Sequence, residues 1–115
     1  MDNSLRRLVE IDGVIGALVV GKDGLVVTST LDGEQEELVG AMVAAAYDAA
    51  GRYVEQIGAG QIRYALFETP GGTLQIANSG EMLVVVQSTR QASLGRVRLE
   101  LLQAAQRLTQ QRGAY

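Results

Sequence analysis

Apolar and polar positions along the chain follow two rhythms. Val14 to Val20 is apolar at nearly every position, which predicts a strand covered on both faces. Gly21-Lys22-Asp23-Gly24 turns the chain into Leu25 to Thr30, a second strand that fades into Thr28, Ser29 and Thr30 and reads as a sheet edge. From Glu34 to Ile57 the period becomes that of a long helix, opened by Asp32 with Gln35 in a capping-box pattern and ended by Gly58 and Gly60. Three strands follow, Gln61 to Glu68, Thr73 to Asn78 and Met82 to Gln87, with Pro70-Gly71 predicting a type II turn between the first two. Short helical patterns close both ends. Ser4 to Glu10 is capped by Asn3 or Ser4, and the last helix is capped by Ser88 or Thr89. Leu94, Val97, Leu101, Ala105 and Leu108 form its stripe, and Arg96, Arg107 and Arg112 lie off it.

The long helix has too few polar residues for a helix with one wet face. Leu38, Val39, Met42, Val43, Ala46, Ala50, Tyr53, Val54 and Ile57 fall in one half of its wheel, bulky enough to pack on a sheet. Gly40, Ala41, Ala44, Ala45 and Gly51 fall in the other, among Glu37, Asp48, Arg52 and Glu55. Helix propensity accounts for the alanines, but Gly40 and Gly51 each cost about 1 kcal/mol in a helix interior. The small half is therefore expected to face outward, where a second backbone can come close and the charges can pair across the contact.

Strand chemistry orders the sheet. The first and fifth strands are the most continuously apolar and belong in the middle, the second and third are more mixed and belong at the edges, and hairpin neighbours pair. The expected fold is an α/β (α+β) sandwich with an antiparallel sheet of order 2-1-5-4-3. The long helix covers one face and the terminal helices cover the other, all as one domain spanning 1–115. The third strand is then an open edge without proline or lysine between Gln61 and Phe67, which invites pairing with another chain. An edge and a small-faced helix, adjacent in sequence, predict a symmetric homodimer. Its seam would use Gly40, Ala41, Ala44, Ala45, Asp48 and Arg52 on the helix and Ile62, Arg63, Tyr64, Ala65 and Phe67 on the strand.

Composition narrows the chemistry. The 115 residues contain no cysteine and no histidine, which removes disulfides, thiolate or imidazole metal sites, cysteine nucleophiles and Ser-His relays. A net charge of -3 argues against a phosphate-backbone ligand. No apolar run approaches the length of a bilayer span and Met1 to Arg7 is polar, so a cytoplasmic protein without membrane insertion is expected. Gly16 to Lys22 has the spacing of a phosphate-binding loop, but Asp23 replaces the Ser or Thr and the intervening residues form a strand rather than a loop entering a helix. No dinucleotide fingerprint is present. Glu34, Glu36 and Glu37 suit the positive end of a helix dipole without any metal or acid–base role. Neither catalytic residues, nor a metal site, nor a cofactor is expected. Arg52, set among small residues, reads either as an interface anchor or as a solvated helix arginine.

The order helix-β-β-long helix-β-β-β-helix, with VIGALVV running through GKDG into LVVTST and a glycine- and alanine-rich second helix, resembles the Roadblock family. That family comprises dynein light-chain-type and bacterial and archaeal GTPase-regulating proteins with a Roadblock/profilin-like fold. The resemblance covers Leu5 to about Leu108, with Gly13-Val14-Ile15-Gly16-Ala17 and the Asp23-Gly24 turn its most telling parts. It implies a homodimer that joins third strands into one sheet and lays second helices side by side. It further implies a non-enzymatic scaffold engaging a small Ras-like GTPase, in some relatives modulating hydrolysis. Without the long extension that some motility-regulating relatives carry after the position of Tyr115, binding is expected ahead of activation. Glu37, Asp48, Arg52 and Glu55 are the expected partner-binding residues. Two other readings stand beside this one. One is a structural subunit of a motor or signalling assembly. The other is a small-molecule sensor or enzyme, which would need a deep pocket lined by Glu68 or Glu81.

Overall fold

The computed structural model describes residues 2–113, with side chains described over 5–110. The elements are α1 (Asp2–Val9), β1 (Val14–Gly21), β2 (Val26–Ser29), α2 (Gly33–Gln56), β3 (Tyr64–Thr69), β4 (Gly72–Ser79), β5 (Met82–Ser88) and α3 (Leu94–Gly113). The strands form one antiparallel sheet of order β2-β1-β5-β4-β3, as the strand chemistry predicts. The order follows from burial. β5 is buried at all but one position and β1 is buried from Gly16 to Val20, and the two sit adjacent, while β2 and β3 have no buried position and end the sheet.

The period of two distributes each strand between two cores. Ala17, Val19, Ala77, Val84 and Val86 meet Leu5 and Leu8 of α1 and Val97, Leu101, Ala105 and Leu108 of α3. Leu18, Val20, Ile76, Leu83 and Val85 face the other way, toward Val43 of α2. Ser79 ties β4 to α3 by donating its Oγ to the Ala105 carbonyl at 2.8 Å.

Several local expectations are corrected. Asp32 is the N-cap of α2, but its side chain makes no capping hydrogen bond, so the box with Gln35 does not form. The final helix starts at Leu94 rather than after Ser88 or Thr89, and Ser93 Oγ accepts from Arg96 N–H at 3.4 Å. The β3–β4 turn is not type II, since Gly71 lacks the positive φ that such a turn requires. Thr69 organises it instead, its Oγ1 accepting from Gly71 N–H at 3.2 Å and donating to the Gly72 carbonyl at 2.9 Å. β3 begins at Tyr64, three residues later than expected. The Asn3 or Ser4 cap and the placement of Arg112 lie outside the described side chains.

The far end of α2 behaves as its glycine predicts. Gly58 takes φ +77, Gly58 N–H reaches the Glu55 carbonyl at 3.0 Å, and Ala59 N–H reaches that of Val54 at 3.0 Å. This pair of bonds is a Schellman cap, which a residue with a Cβ would strain.

Candidate interaction surface

α2 lies over the β1–β2 side of the sheet. What seats it there are its small residues, and this reverses the sequence expectation for Gly40 and Ala44. Both are buried against the chain's own sheet and neither can form the outward seam. A Cβ on Gly40 would stand 2.9 Å from Val26 Cγ2, 3.2 Å from the Gly24 carbonyl oxygen and 3.3 Å from Val20 Cγ2. Gly24, at φ +94, brings the hairpin up to meet them, and a Cβ there would stand 3.6 Å from Ala41 Cα and 3.8 Å from Ala44 Cβ. The close neighbour that small residues make room for is the helix's own hairpin.

The bulky half is corrected as well. Leu38 is 62% exposed, Met42 61%, Tyr53 67% and Ile57 60%, whereas Val39 and Val54 are half-buried and Val43 is buried. Helical spacing places Met42, Ala46, Ala49, Tyr53 and Ile57 along one flank. Between that flank and the strands runs an apolar groove of about 290 Å³ lined by Val39, Met42, Val43, Ala46, Phe67 and Leu74. Phe67 is 44% exposed on β3, which hydrogen-bonds only to β4, so its outer edge is unpaired. An apolar helix flank, an apolar groove and an open strand edge are thus contiguous. Soluble proteins rarely leave such a surface uncovered.

The other flank of α2 carries charge. Glu37, Asp48, Arg52 and Glu55 are all exposed there, with Ala41 and Ala45 beside them. Arg52 Nη2 lies 3.0 Å from Asp48 Oδ2, one turn away. Both are well exposed, so the pair contributes only about 0.3–0.5 kcal/mol and serves more to fix the arginine's direction. Below them a cleft of about 150 Å³ is lined by Lys22, Tyr47, Asp48, Arg52, Glu55 and Gln61. Such a volume is under the roughly 300 Å³ at which small-molecule pockets begin. Tyr47 forms its wall, with Lys22 Nζ 5.6 Å from the ring centroid. The Tyr47 hydroxyl donates to the Ile62 carbonyl at 2.9 Å, and burial raises its pKa. Asn78 Nδ2 reaches the same carbonyl at 3.2 Å. The α2–β3 connection is therefore pinned where it enters the edge strand.

Of the residues expected on that strand, Ile62 and Arg63 precede it and Tyr64, Ala65 and Phe67 lie on it. Arg63 and Phe67 are exposed, and Ile62, Tyr64 and Ala65 are half-buried. Tyr64 turns toward α3, donating its hydroxyl to Gln75 Oε1 at 2.7 Å under the Arg98 guanidinium, 4.7 Å from the ring centroid. Burial raises the Tyr64 pKa, with Arg98 acting in the opposite direction, and the hydroxyl stays protonated as this bond requires. Glu68 and Glu81 stand exposed at the rims of broad open hollows rather than in a deep pocket. Among the described residues no group of three or more His, Cys, Asp or Glu is placed to hold a metal ion, and no helix is long and apolar enough to cross a membrane.

Gly51 gives a check on how α2 is seated. A Cβ there meets nothing within 4 Å and its φ is not positive. Gly51→Ala is expected to stabilise the protein by about 0.4–1 kcal/mol in urea denaturation. A loss of stability would mean that this side of α2 is closed off.

The molecule is thus an α/β sandwich that presents a helix flank and an adjoining sheet edge. The sequence profile of the Roadblock/LC7 domain matches residues 1–88, and the chain belongs to that family. It is 38% identical over 109 residues to the uncharacterized protein MJ1340 of Methanocaldococcus jannaschii, covering 94% of this chain and 96% of that one. Among solved structures it is similar to MglB of Myxococcus xanthus, with a TM-score of 0.90, 22% identity, and coverage of 98% of this chain and 94% of that one. It is also similar to a Roadblock/LC7 domain from Streptomyces avermitilis, with a TM-score of 0.88, 20% identity, and coverage of 94% and 93%.

Proposed function

We propose that this chain is a homodimeric, non-catalytic adaptor that binds a small Ras-like GTPase. The observation that carries the reading is the continuity of the exposed apolar flank of α2 with the groove at Phe67 and the unpaired β3 edge. A two-fold axis beside β3 pairs that strand with its copy and lays each apolar α2 flank against the bare part of the joined sheet. Leu38, Met42, Tyr53, Phe67 and Ile57 then enter the seam in place of Gly40 and Ala44. Ala45, Ala41 and Arg63 lie at its margin. The charged flanks, with Glu37, Asp48, Arg52 and Glu55, remain outside as a doubled surface.

Membership of the Roadblock family supports a GTPase as the partner of that surface, and whether binding changes the rate of hydrolysis is a separate outcome. The direct test is capture of the Ras-like GTPases encoded in the same genome, each loaded with GDP or a non-hydrolysable GTP analogue. Binding of one of them in one nucleotide state, at two adaptor chains per GTPase or per pair of GTPases, is expected. If none binds in either state, the reading is wrong and a structural subunit of another assembly replaces it.

A further inference from the structure

The backbone of β3 alternates in where it bonds. Asn78 N–H reaches the Arg63 carbonyl at 3.0 Å, and the β3–β4 register continues that pattern, so Ala65, Phe67 and Thr69 direct their backbone groups to β4. The N–H and C=O groups of Tyr64, Leu66 and Glu68 therefore point out of the sheet. Their side chains share a face as well, the one covered by α1 and α3, since Tyr64 stands opposite Ala77 of that core. Leu66 and Glu68 are exposed there, and Tyr64 lies under the Arg98 guanidinium.

A second copy that pairs antiparallel across a two-fold axis must set outward groups against outward groups, which leaves few registers. With the axis at Leu66, Tyr64 faces the partner's Glu68, Leu66 faces the partner's Leu66, and every outward group is matched. With the axis at Ala65, Glu68 faces the partner's Ile62, and the Ile62 carbonyl is already held by the Tyr47 hydroxyl at 2.9 Å and by Asn78 Nδ2 at 3.2 Å. With the axis at Phe67, Tyr64 faces the partner's Pro70, which has no N–H to donate. Larger slips match fewer groups still. The bonding of the strand itself selects the register centred on Leu66.

That register completes a charge pair. The Arg98 guanidinium lies 4.7 Å from the Tyr64 ring centroid, and a residue directly opposite Tyr64 stands about 4.5–5.5 Å from it, Cβ to Cβ. The residue brought there is the partner's Glu68. Within one chain neither Glu68 nor Arg98 has an ion-pair partner among the described residues, although Arg90 lines the same hollow as Glu68. We propose that Arg98 of each chain receives Glu68 of its partner, one pair on each side of the Leu66 contact, and that this exchange selects a second copy of this chain as the partner of β3. The proposal rests on the homodimer reading above and adds its register and its selectivity. A chain with a neutral or basic residue in place of Glu68 would set no carboxylate, or a like charge, against Arg98, and this repulsive element turns away wrong partners.

The experiment measures the dimer Kd of the full chain by sedimentation. Glu68→Arg alone and Arg98→Glu alone each set like charges against each other at both symmetric sites, and each is expected to raise the Kd about 10- to 100-fold. An equimolar mixture of the two variants restores both pairs, because one chain then supplies two cations and the other two carboxylates. A heterodimer with a Kd close to that of the unsubstituted dimer is expected, and mixing would not rescue a side chain that acts only within its own chain. Because the chain has no cysteine, Leu66→Cys reports the register. The two Cα atoms would stand about 5.5 Å apart, inside the range of about 4.4–6.8 Å that a disulfide spans, and oxidation is expected to link the dimer. The proposal is overturned, with the homodimer reading left standing, by a dimer whose Kd neither charge reversal moves or by single variants that mixing fails to rescue. A dimer that Ala65→Cys or Phe67→Cys links in place of Leu66→Cys has the same consequence. A single-chain mass for the unsubstituted protein at every concentration measured overturns both.

Discussion

Gly40→Leu is expected to cost about 3 kcal/mol or more, a large share of the 5–15 kcal/mol by which domains of this size are stable. Helix propensity alone predicts the opposite sign, because leucine is the better helix former by close to 1 kcal/mol. Packing decides, since the first atom added at Gly40 would already stand 2.9 Å from Val26 Cγ2 and 3.2 Å from the Gly24 carbonyl. Val26 is β-branched and held in β2, and the Gly24 carbonyl belongs to a turn closed by Gly21 N–H to the Leu25 carbonyl at 2.8 Å and Gly24 N–H to that of Gly21 at 2.9 Å. Neither can move aside without opening the hairpin. A urea midpoint equal to that of the unsubstituted chain would show that α2 is not seated on the hairpin through this glycine. The same reasoning applies to Ala44→Arg. Ala44 is buried at that contact, so arginine there disturbs the fold of one chain before it disturbs any pairing of two.

The second large effect separates folding from assembly. Met42→Asp combined with Tyr53→Asp is expected to leave the urea midpoint of the isolated fold nearly unchanged, because both side chains are more than half exposed in the single chain. In the proposed dimer the two carboxylates would be buried on an apolar seam, each without a partner and each doubled by symmetry. That is expected to raise the dimer dissociation constant at least about 100-fold, or roughly 2.7 kcal/mol, and light scattering at micromolar concentration would then give the mass of one chain. A double variant that keeps twice the chain mass would remove the apolar α2 flank from the seam. The pair should also lose GTPase capture if the partner needs both charged flanks at once, whereas Glu37 and Glu55 substitutions should weaken capture while leaving the mass unchanged.

These two tests fall on the part of the molecule that the sequence described least well. Glu37, Asp48, Arg52 and Glu55 stand at the surface of α2 as expected, because charged side chains stay in water whichever way the helix rolls. The division into a bulky and a small half holds for Val43, Ala41 and Ala45 and fails for Gly40 and Ala44, which are buried, and for Leu38, Met42, Tyr53 and Ile57, which are exposed. A helical wheel divides a surface in two and weighs each half by size, which suits a helix lying flat over a wide sheet. α2 instead lies close against the β1–β2 hairpin, where Gly40 and Ala44 are the residues that fit, and leaves part of the sheet near β3 bare. The pairing of Gly24 in the turn with Gly40 in the helix was the signal available in the sequence, and it becomes readable only once the two elements are known to touch.

The strand order, the two-faced burial of β1 and β5 and the layer of each helix were decided by the sequence alone. They depend on a period of two or 3.6 and on turn residues such as Asp23-Gly24, which act over a few neighbouring positions. Tertiary structure alone decided how α2 is rolled on its axis and which apolar residues it leaves in water. The physical reason is common to both. Each is set by atoms that meet across the fold at close to 3 Å, where shape rather than hydrophobicity determines what fits.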